Sequence, residues 1–290
     1  MIRSLRNLLR APYNRKRKIY ALYRFIYWKI IRAFKLENVK FRLWKDRVMY
    51  LNHDSFQSMW IMYAYEVDWE EFNLIRDFIR EDDHVADVGA NMGFYTIWFT
   101  KFIRTGTIHS FEPDERNYDR LKKNVNANKG SDRVYLNRIA LSNINGTLSF
   151  TTGFDGENHI SNETGENMIT VRSQRLDDYC ILNNISSLSY VKVDIEGFEY
   201  DFLEGASELL SGKNIDIIQL EINRTLQNSG RTANELISFI EGFGYSLCRY
   251  NVDLRRVEKI PYSADRENYL CIANMAMVND RIRSKTRAEK

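Results

Sequence analysis

From His84 onward, short apolar runs of strand character alternate with stretches of helical spacing. HVADV, TIHSFE, RVYLNRIAL, SLSYVKVD and IDIIQLEIN read as strands. FYTIWFTKFI, ERNYDRLKKNVNAN, Gln174 to Leu182, Glu199 to Leu210 and Ala233 to Glu241 read as helices. Strands joined through helices lie parallel, and a parallel sheet has to be covered on both faces. Strand-like runs at Tyr245 to Tyr250 and Tyr269 to Met277 end the pattern. A hairpin from Phe41 to Leu51, turning at Lys45 and Asp46, and a helix from Trp69 to Ile79 precede it. In sheets of this kind ligands bind beyond the carboxyl ends of the strands.

The first such strand end reads DVGANMGF, Asp87 to Phe94. A dinucleotide loop would be G-x-G-x-x-G, with its second glycine admitting a pyrophosphate. Counted from Gly89, those positions hold Gly, Asn91 and Phe94, so only the first matches. A carboxylate at Asp87 suits a cationic or amine-bearing ligand better than a diphosphate, because like charges repel at close range. S-adenosylmethionine carries an ammonium, a sulfonium and no phosphate. The next strand ends at Glu112, where a carboxylate can accept from both ribose hydroxyls, as the acidic residue does for NAD. An NAD-dependent oxidoreductase is disfavoured by the missing glycines, and an ester hydrolase by the absence of G-x-S-x-G.

VADVGANMGFYT at Val85 to Thr96, HSFEPDERNYDRLKKNV at His109 to Val125, NRIALSNINGTLSF at Asn137 to Phe150 and SYVKVDIEGFEYDFLEGASELL at Ser189 to Leu210 together resemble the FkbM-type family of S-adenosylmethionine-dependent methyltransferases. The likeness runs from about Trp60 to Met277. It implies an α/β, Rossmann-like class I methyltransferase fold: a seven-stranded, mostly parallel sheet with the last strand antiparallel and helices on both faces. It also implies methyl transfer to a hydroxyl oxygen. By motif position Asp87, Gly89, Asn91 and Gly93 would hold the methionine part of the cofactor, Glu112 the ribose, and Asp114 and Ala140 would lie near the adenine. Asp194 would approach the methyl-bearing end. Family members often carry a histidine where this chain has Phe198.

Methyl transfer from a sulfonium needs an aligned acceptor and a place for one proton. Asp194, Glu196 and Glu199, with Glu221 ending the neighbouring strand, could gather carboxylates there, one raised by its like-charged neighbours into a general base. Asp194 and Glu196 are the carboxylate candidates. Glu199 and Asp201 have a second reading as helix-start acids. His159, in the polar loop TGFDGENHISNETGEN, is the candidate imidazole base. His84 and His109, at and within strands, read as structural. Oxygen ligands of this kind suit a divalent metal such as Mg²⁺, but no metal ligand is assigned. Cys180, Cys248 and Cys271 lie far apart with no C-x-x-C and read as buried thiols of a reducing compartment.

Charge divides the chain. Residues 1–47 hold fifteen Lys/Arg and two acids, whereas the rest holds 27 basic and 37 acidic residues. We expect a basic amphipathic helical extension over 1–40, a methyltransferase domain over 41–280 and a polar tail over 281–290. The extension reads as two helices broken at Ala11 and Pro12. In the second, Ile19, Leu22, Tyr23, Ile26, Ile30, Ala33 and Phe34 share one face, and Lys18, Arg24, Lys29, Arg32 and Lys35 the other. Two readings stand: the helix lies on an anionic membrane surface, or its apolar face packs on the body. The first eighteen residues, Arg-rich and free of acids, also resemble a mitochondrial presequence. The expectation is a cytoplasmic enzyme, peripheral at the inner membrane face, acting on a sugar, glycan or lipid-linked glycan hydroxyl. The alternative is a nucleic-acid-binding protein or RNA methyltransferase using the basic helices.

Overall fold

A computed structural model describes residues 8–151 and 168–288. His159 lies outside the described residues. The main sheet contains β3 (His84–Val88), β4 (Thr107–Phe111), β5 (Val134–Asn137), β9 (Leu188–Val193), β10 (Ile215–Glu221), β11 (Ser246–Asn251), β12 (Arg256–Lys259) and β13 (Asn268–Ile272). Its order is β12-β11-β13-β10-β9-β3-β4-β5. β10, β9, β3, β4 and β5 run parallel, and β13 is inserted antiparallel between β10 and β11. The sheet has one strand more than the seven expected. The eighth, β12, folds back antiparallel on β11 and makes the edge.

Alternate side chains of each central strand enter opposite cores. Val85, Ile108, Tyr190 and Ile217 join one cluster; Ala86, Val88, Phe111, Val191 and Ile218 join the other. Two expectations need revision. The run RVYLNRIAL is cut: β5 stays in the main sheet, while β6 (Ala140–Leu141) pairs with β8 (Met168–Gln174) beside β7 (Gly146–Thr151) in a separate three-stranded sheet. The polar tail from 281 instead continues the helix Met275–Ala288, because Val278 and Ile282 are buried in the core and Arg281 pairs with Asp83.

The hairpin forms as expected from β1 (Val39–Leu43) and β2 (Arg47–Leu51), and the helix Trp69–Phe78 follows. The extension packs on the body, but not by the apolar face expected to do so. Helix α1 (Lys18–Ala33) buries Ala21, Arg24, Phe25, Trp28 and Ile31 against helix α2 (Phe56–Ala64) and the body, and the aliphatic face centred on Ile26 points outward. α1 carries two apolar faces, and the inner one admits Arg24 because both of its terminal nitrogens find acceptors. Arg24 donates to the Ile61 carbonyl at 3.2 Å and to Asn14 Oδ1, and its guanidinium lies 4.9 Å from the rings of both Tyr20 and Tyr65. Asn14 in turn donates to the Leu8 and Tyr63 carbonyls.

Arg24→Ala should loosen this docking by about 2 kcal/mol, because buried acceptors lose their donor. Trypsin should then cut at Arg15 to Lys18 faster while the body stays intact; an unchanged cleavage rate would contradict the proposed staple. Arg24→Met, which keeps the stem's packing, should recover part of the protection. Among the described residues no helix is long and apolar enough to cross a membrane.

Candidate active site

The pleat gives one face of the sheet two polar rows at the carboxyl ends of its strands. In the first, Ser110, Asp87, Lys192 and Gln219 lie side by side across β4, β3, β9 and β10. Two residues further along each chain come Glu112, Gly89, Asp194 and Glu221. Side chains two apart on a strand share a face, so the second row sits directly beyond the first.

The first row is buried. Asp87 Oδ2 accepts from the Thr96 amide at 2.9 Å and from Thr96 Oγ1 at 2.6 Å, which fixes the helix Phe94–Phe99 to the strand end. Its Oδ1 is buried with no hydrogen-bond partner among the described residues. Burial raises the Asp87 carboxyl, opposed chiefly by Lys192. Lys192 donates to Asp194 Oδ2 at 2.9 Å and lies 5.2 Å from the centre of the Tyr95 ring. Burial alone would lower its ammonium, but the carboxylates of Asp194 and Asp87 push it well above the ordinary lysine range. Gln219 accepts from Tyr190 Oη at 2.7 Å and donates to Tyr95 Oη at 2.9 Å. Tyr95 donates to Asp68 Oδ2 at 2.6 Å, and Asn268 donates to Asp68 Oδ1 at 3.2 Å.

The second row faces a cavity of about 420 Å³ lined by Gly89, Asn91, Glu112 and Ala140 at one part of its wall and by Asp194, Glu196 and Glu221 at another. Glu112 Oε2 accepts from the Asn91 amide and Oε1 from the Asp114 amide, at 2.8 and 2.9 Å, leaving each oxygen a further lone pair. Burial pushes the Glu112 carboxyl up to about 8 against those two amides. Burial would raise Asp194, yet Lys192 and a hydrogen bond from Glu221 hold it below the ordinary carboxyl range. The charge of Asp194, then burial, raises Glu221 strongly, so the pair carries its proton on Glu221.

Gly89 has φ +75°, and a Cβ there would fall 1.9 Å from the Asp194 carbonyl oxygen. This close approach brings β3 and β9 together under the cavity floor. Asn91 adopts φ 49° and turns its Oδ1 onto the Met92 amide at 2.7 Å, completing the tight loop.

Of the residues singled out in the sequence, Gly89, Asn91, Glu112, Ala140, Asp194 and Glu196 line this one cavity. Asp87, Gly93 and Asp114 do not. Asp114 caps the helix Glu115–Asn126 by accepting from the Asn117 amide at 2.9 Å. Glu199 leaves the carboxylate cluster: it is buried with Oε1 accepting from the Ile195 and Gly197 amides, so it ties the turn after β9. His109 is structural, bonded to Tyr179 Oη and Thr107 Oγ1, and burial lowers it to about 4. The three cysteines are buried free thiols. Among the described residues no group of three or more His, Cys, Asp or Glu could hold a metal.

Asp68, Tyr95, Lys192, Gln219 and Asn268 were missed as site residues, although all five line the cavity. Lys192 and Gln219 carry a legible signal, a polar residue flanked on both sides by apolar ones, two positions before a carboxylate at the strand end.

A sheet of this order, with a glycine turn after its first strand and a carboxylate ending its second, defines an S-adenosylmethionine-dependent methyltransferase of Rossmann-like fold. The description "Methyltransferase FkbM domain" matches residues 87–247, more than half of the chain. The chain belongs to the FkbM methyltransferase family. It is similar to the hexuronic acid methyltransferase AglP of Haloferax volcanii, 27% identical over 167 residues, covering 57% of this chain and 67% of that protein. It is also similar to the 2-O-methyltransferase NoeI of Sinorhizobium fredii, 27% identical over 150 residues, covering 46% of this chain and 60% of that protein. The crystal structure of an FkbM methyltransferase from Methylobacillus flagellatus KT matches with a TM-score of 0.43 and 16% identity, over 67% of this chain and 44% of that one.

Proposed function

We propose that this protein O-methylates a hydroxyl of a sugar, in a glycan or lipid-linked glycan. The observation that carries the reading is that Glu112 and Asn91 line the same cavity as the Asp194–Glu221 pair. When bound, S-adenosylmethionine supplies a methyl group on a sulfonium, a good leaving group. Glu112 would accept hydrogen bonds from the ribose hydroxyls, Gly89 and Asn91 would form the turn under the methionine part, and Ala140 would border the adenine. Asp87, Gly93 and Asp114 act from behind the wall as positioning residues. Asp194 would accept the proton of the acceptor hydroxyl, with Lys192 holding that carboxylate in place. A late proton transfer suits a weak base. Glu196, Glu221, Glu267 and Asn268 offer further partners for sugar hydroxyls, while Phe56 and Trp60 offer ring faces to the C–H face of a pyranose. The names of AglP and NoeI favour such an acceptor. The methyltransferase domain is assigned to residues 41–288, with 1–40 as its basic extension.

Calorimetry with S-adenosylmethionine and NAD, followed by methyl transfer to hexuronate-bearing glycans, tests the reading. Binding of NAD alone would overturn it. Two hydroxyl donors favour an ionised Glu112, so cofactor binding should release a proton and tighten as pH rises from about 6 to about 9. Glu112→Gln should flatten that profile and weaken binding about ten- to hundredfold, since the amide turns a donor toward a backbone N–H. A pH-independent affinity in the unsubstituted protein would contradict the proposed role of Glu112.

A further inference from the structure

The outer face of α1 is apolar and has no partner among the described residues. Ile19, Leu22, Tyr23, Ile26, Ile30 and Phe34 recur at helical spacing and all are exposed, Ile19 to 89% and Phe34 to 73%. The inner face is already used by Ala21, Arg24, Phe25, Trp28 and Ile31, so the helix cannot turn the stripe inward without breaking the Arg24 contacts. Exposed Lys18, Lys29 and Arg32 border the stripe on one side. On the other side Tyr20, Tyr23 and Tyr27 stack in series, with ring centres 6.2 and 5.8 Å apart. Residues 8–36 contain nine Lys/Arg and no acid.

We propose that this face docks the enzyme on an anionic lipid bilayer, with α1 lying in the plane of the headgroups. An aliphatic centre with basic and tyrosine flanks matches the three layers an interfacial helix meets: acyl chains, the amphipathic boundary and anionic headgroups. Charge decides against the other occupants. A second copy would bring two acid-free faces together, and like charges would oppose the contact. A nucleic acid would meet aliphatic side chains where it offers phosphates and polar base edges. From residue 48 onward acids exceed bases, 37 to 27, so an anionic surface attracts the extension, repels the body and orients the molecule.

Co-flotation of the full chain with phosphatidylcholine vesicles, with and without about 30% phosphatidylglycerol, tests this. The protein should float with the anionic vesicles, less so at high salt, and only weakly with the neutral ones. The double variant Ile19→Glu with Phe34→Glu should lose at least about tenfold in vesicle affinity. A control, Ile181→Glu with Leu182→Glu, replaces equally exposed apolar residues away from α1 and should float unchanged. S-adenosylmethionine affinity should be the same in all three proteins, so failure of the docking surface and failure of the cofactor site are read separately. Absence of flotation, or flotation unaffected by the α1 variant, would overturn the proposal. So would a dimer that the α1 variant dissociates without any vesicle binding, or single-stranded RNA binding tighter than vesicle binding and lost in that variant.

Discussion

Lys192→Met should destabilise the protein by about 3 kcal/mol at pH 7.5 and abolish methyl transfer. The ammonium is buried between Asp194 and Asp87, with Asp68 also near enough to raise it. Removing it leaves carboxylates that a methionine cannot pair. The lower end of the usual range applies, because the Asp194 side chain is 35% exposed to the cavity and water screens it. The pH dependence has a definite sign. In the unsubstituted protein Asp194 is held below its ordinary value, a contribution present above that value and lost as pH falls through the folded one. In the variant Asp194 and Asp87 both move up, so they protonate on mild acidification and cease to cost charge burial. The difference in urea midpoints should therefore be largest above neutral pH and shrink toward pH 5. A penalty that does not vary with pH would show that Lys192 acts through packing, against the electrostatic account.

Gly89→Ala should be at least as damaging, by about 4 kcal/mol or more, with cofactor binding lost. Its Cβ would fall on the Asp194 carbonyl oxygen, which belongs to the backbone of the adjoining strand end and cannot swing aside. The positive φ adds to the strain. Gly93→Ala is the informative comparison, since it too has positive φ, yet its Cβ would meet only the Leu121 Cδ1 at 2.6 Å, the far end of a side chain that can rotate. About 1–2 kcal/mol is expected there, with the cofactor still bound. Equal denaturation midpoints and equal cofactor affinities for the two variants would contradict the claim that the β3–β9 approach builds the cavity floor.

The main sheet was legible because its strands and helices differ in hydrophobic period, and strands joined by helices have few ways to assemble. Glu112 and Asp194 were legible as carboxylates at strand ends. Lys192 and Gln219 are less legible because each is flanked by apolar residues, Val191 and Val193 in one strand and Ile218 and Leu220 in the other. Asp68 and Asn268 offered no local signal at all: they meet from 200 positions apart, and only the antiparallel insertion of β13 beside β10 brings them together. Asp114 had two physical uses available, ligand contact and helix capping, and the aspartate just before a helix serves the second. For α1 the spacing of aliphatic residues picked out an apolar face correctly, but nothing in a helical period says which of two such faces turns inward. Arg24 decided the matter through hydrogen bonds that hydropathy does not count.

The polar row from Ser110 to Gln219 also bears on how the enzyme can move. Four strands are cross-linked there by side chains whose partners lie in the sheet itself or on the helix behind it, so the cavity floor can open only when the sheet does. Its amides should exchange hydrogen at the rate of global unfolding. The floor should thus hold its shape for as long as the sheet stays folded. Movement that admits an acceptor is then expected at the rim, in the segment that carries Phe56 and Trp60 and rests on α1.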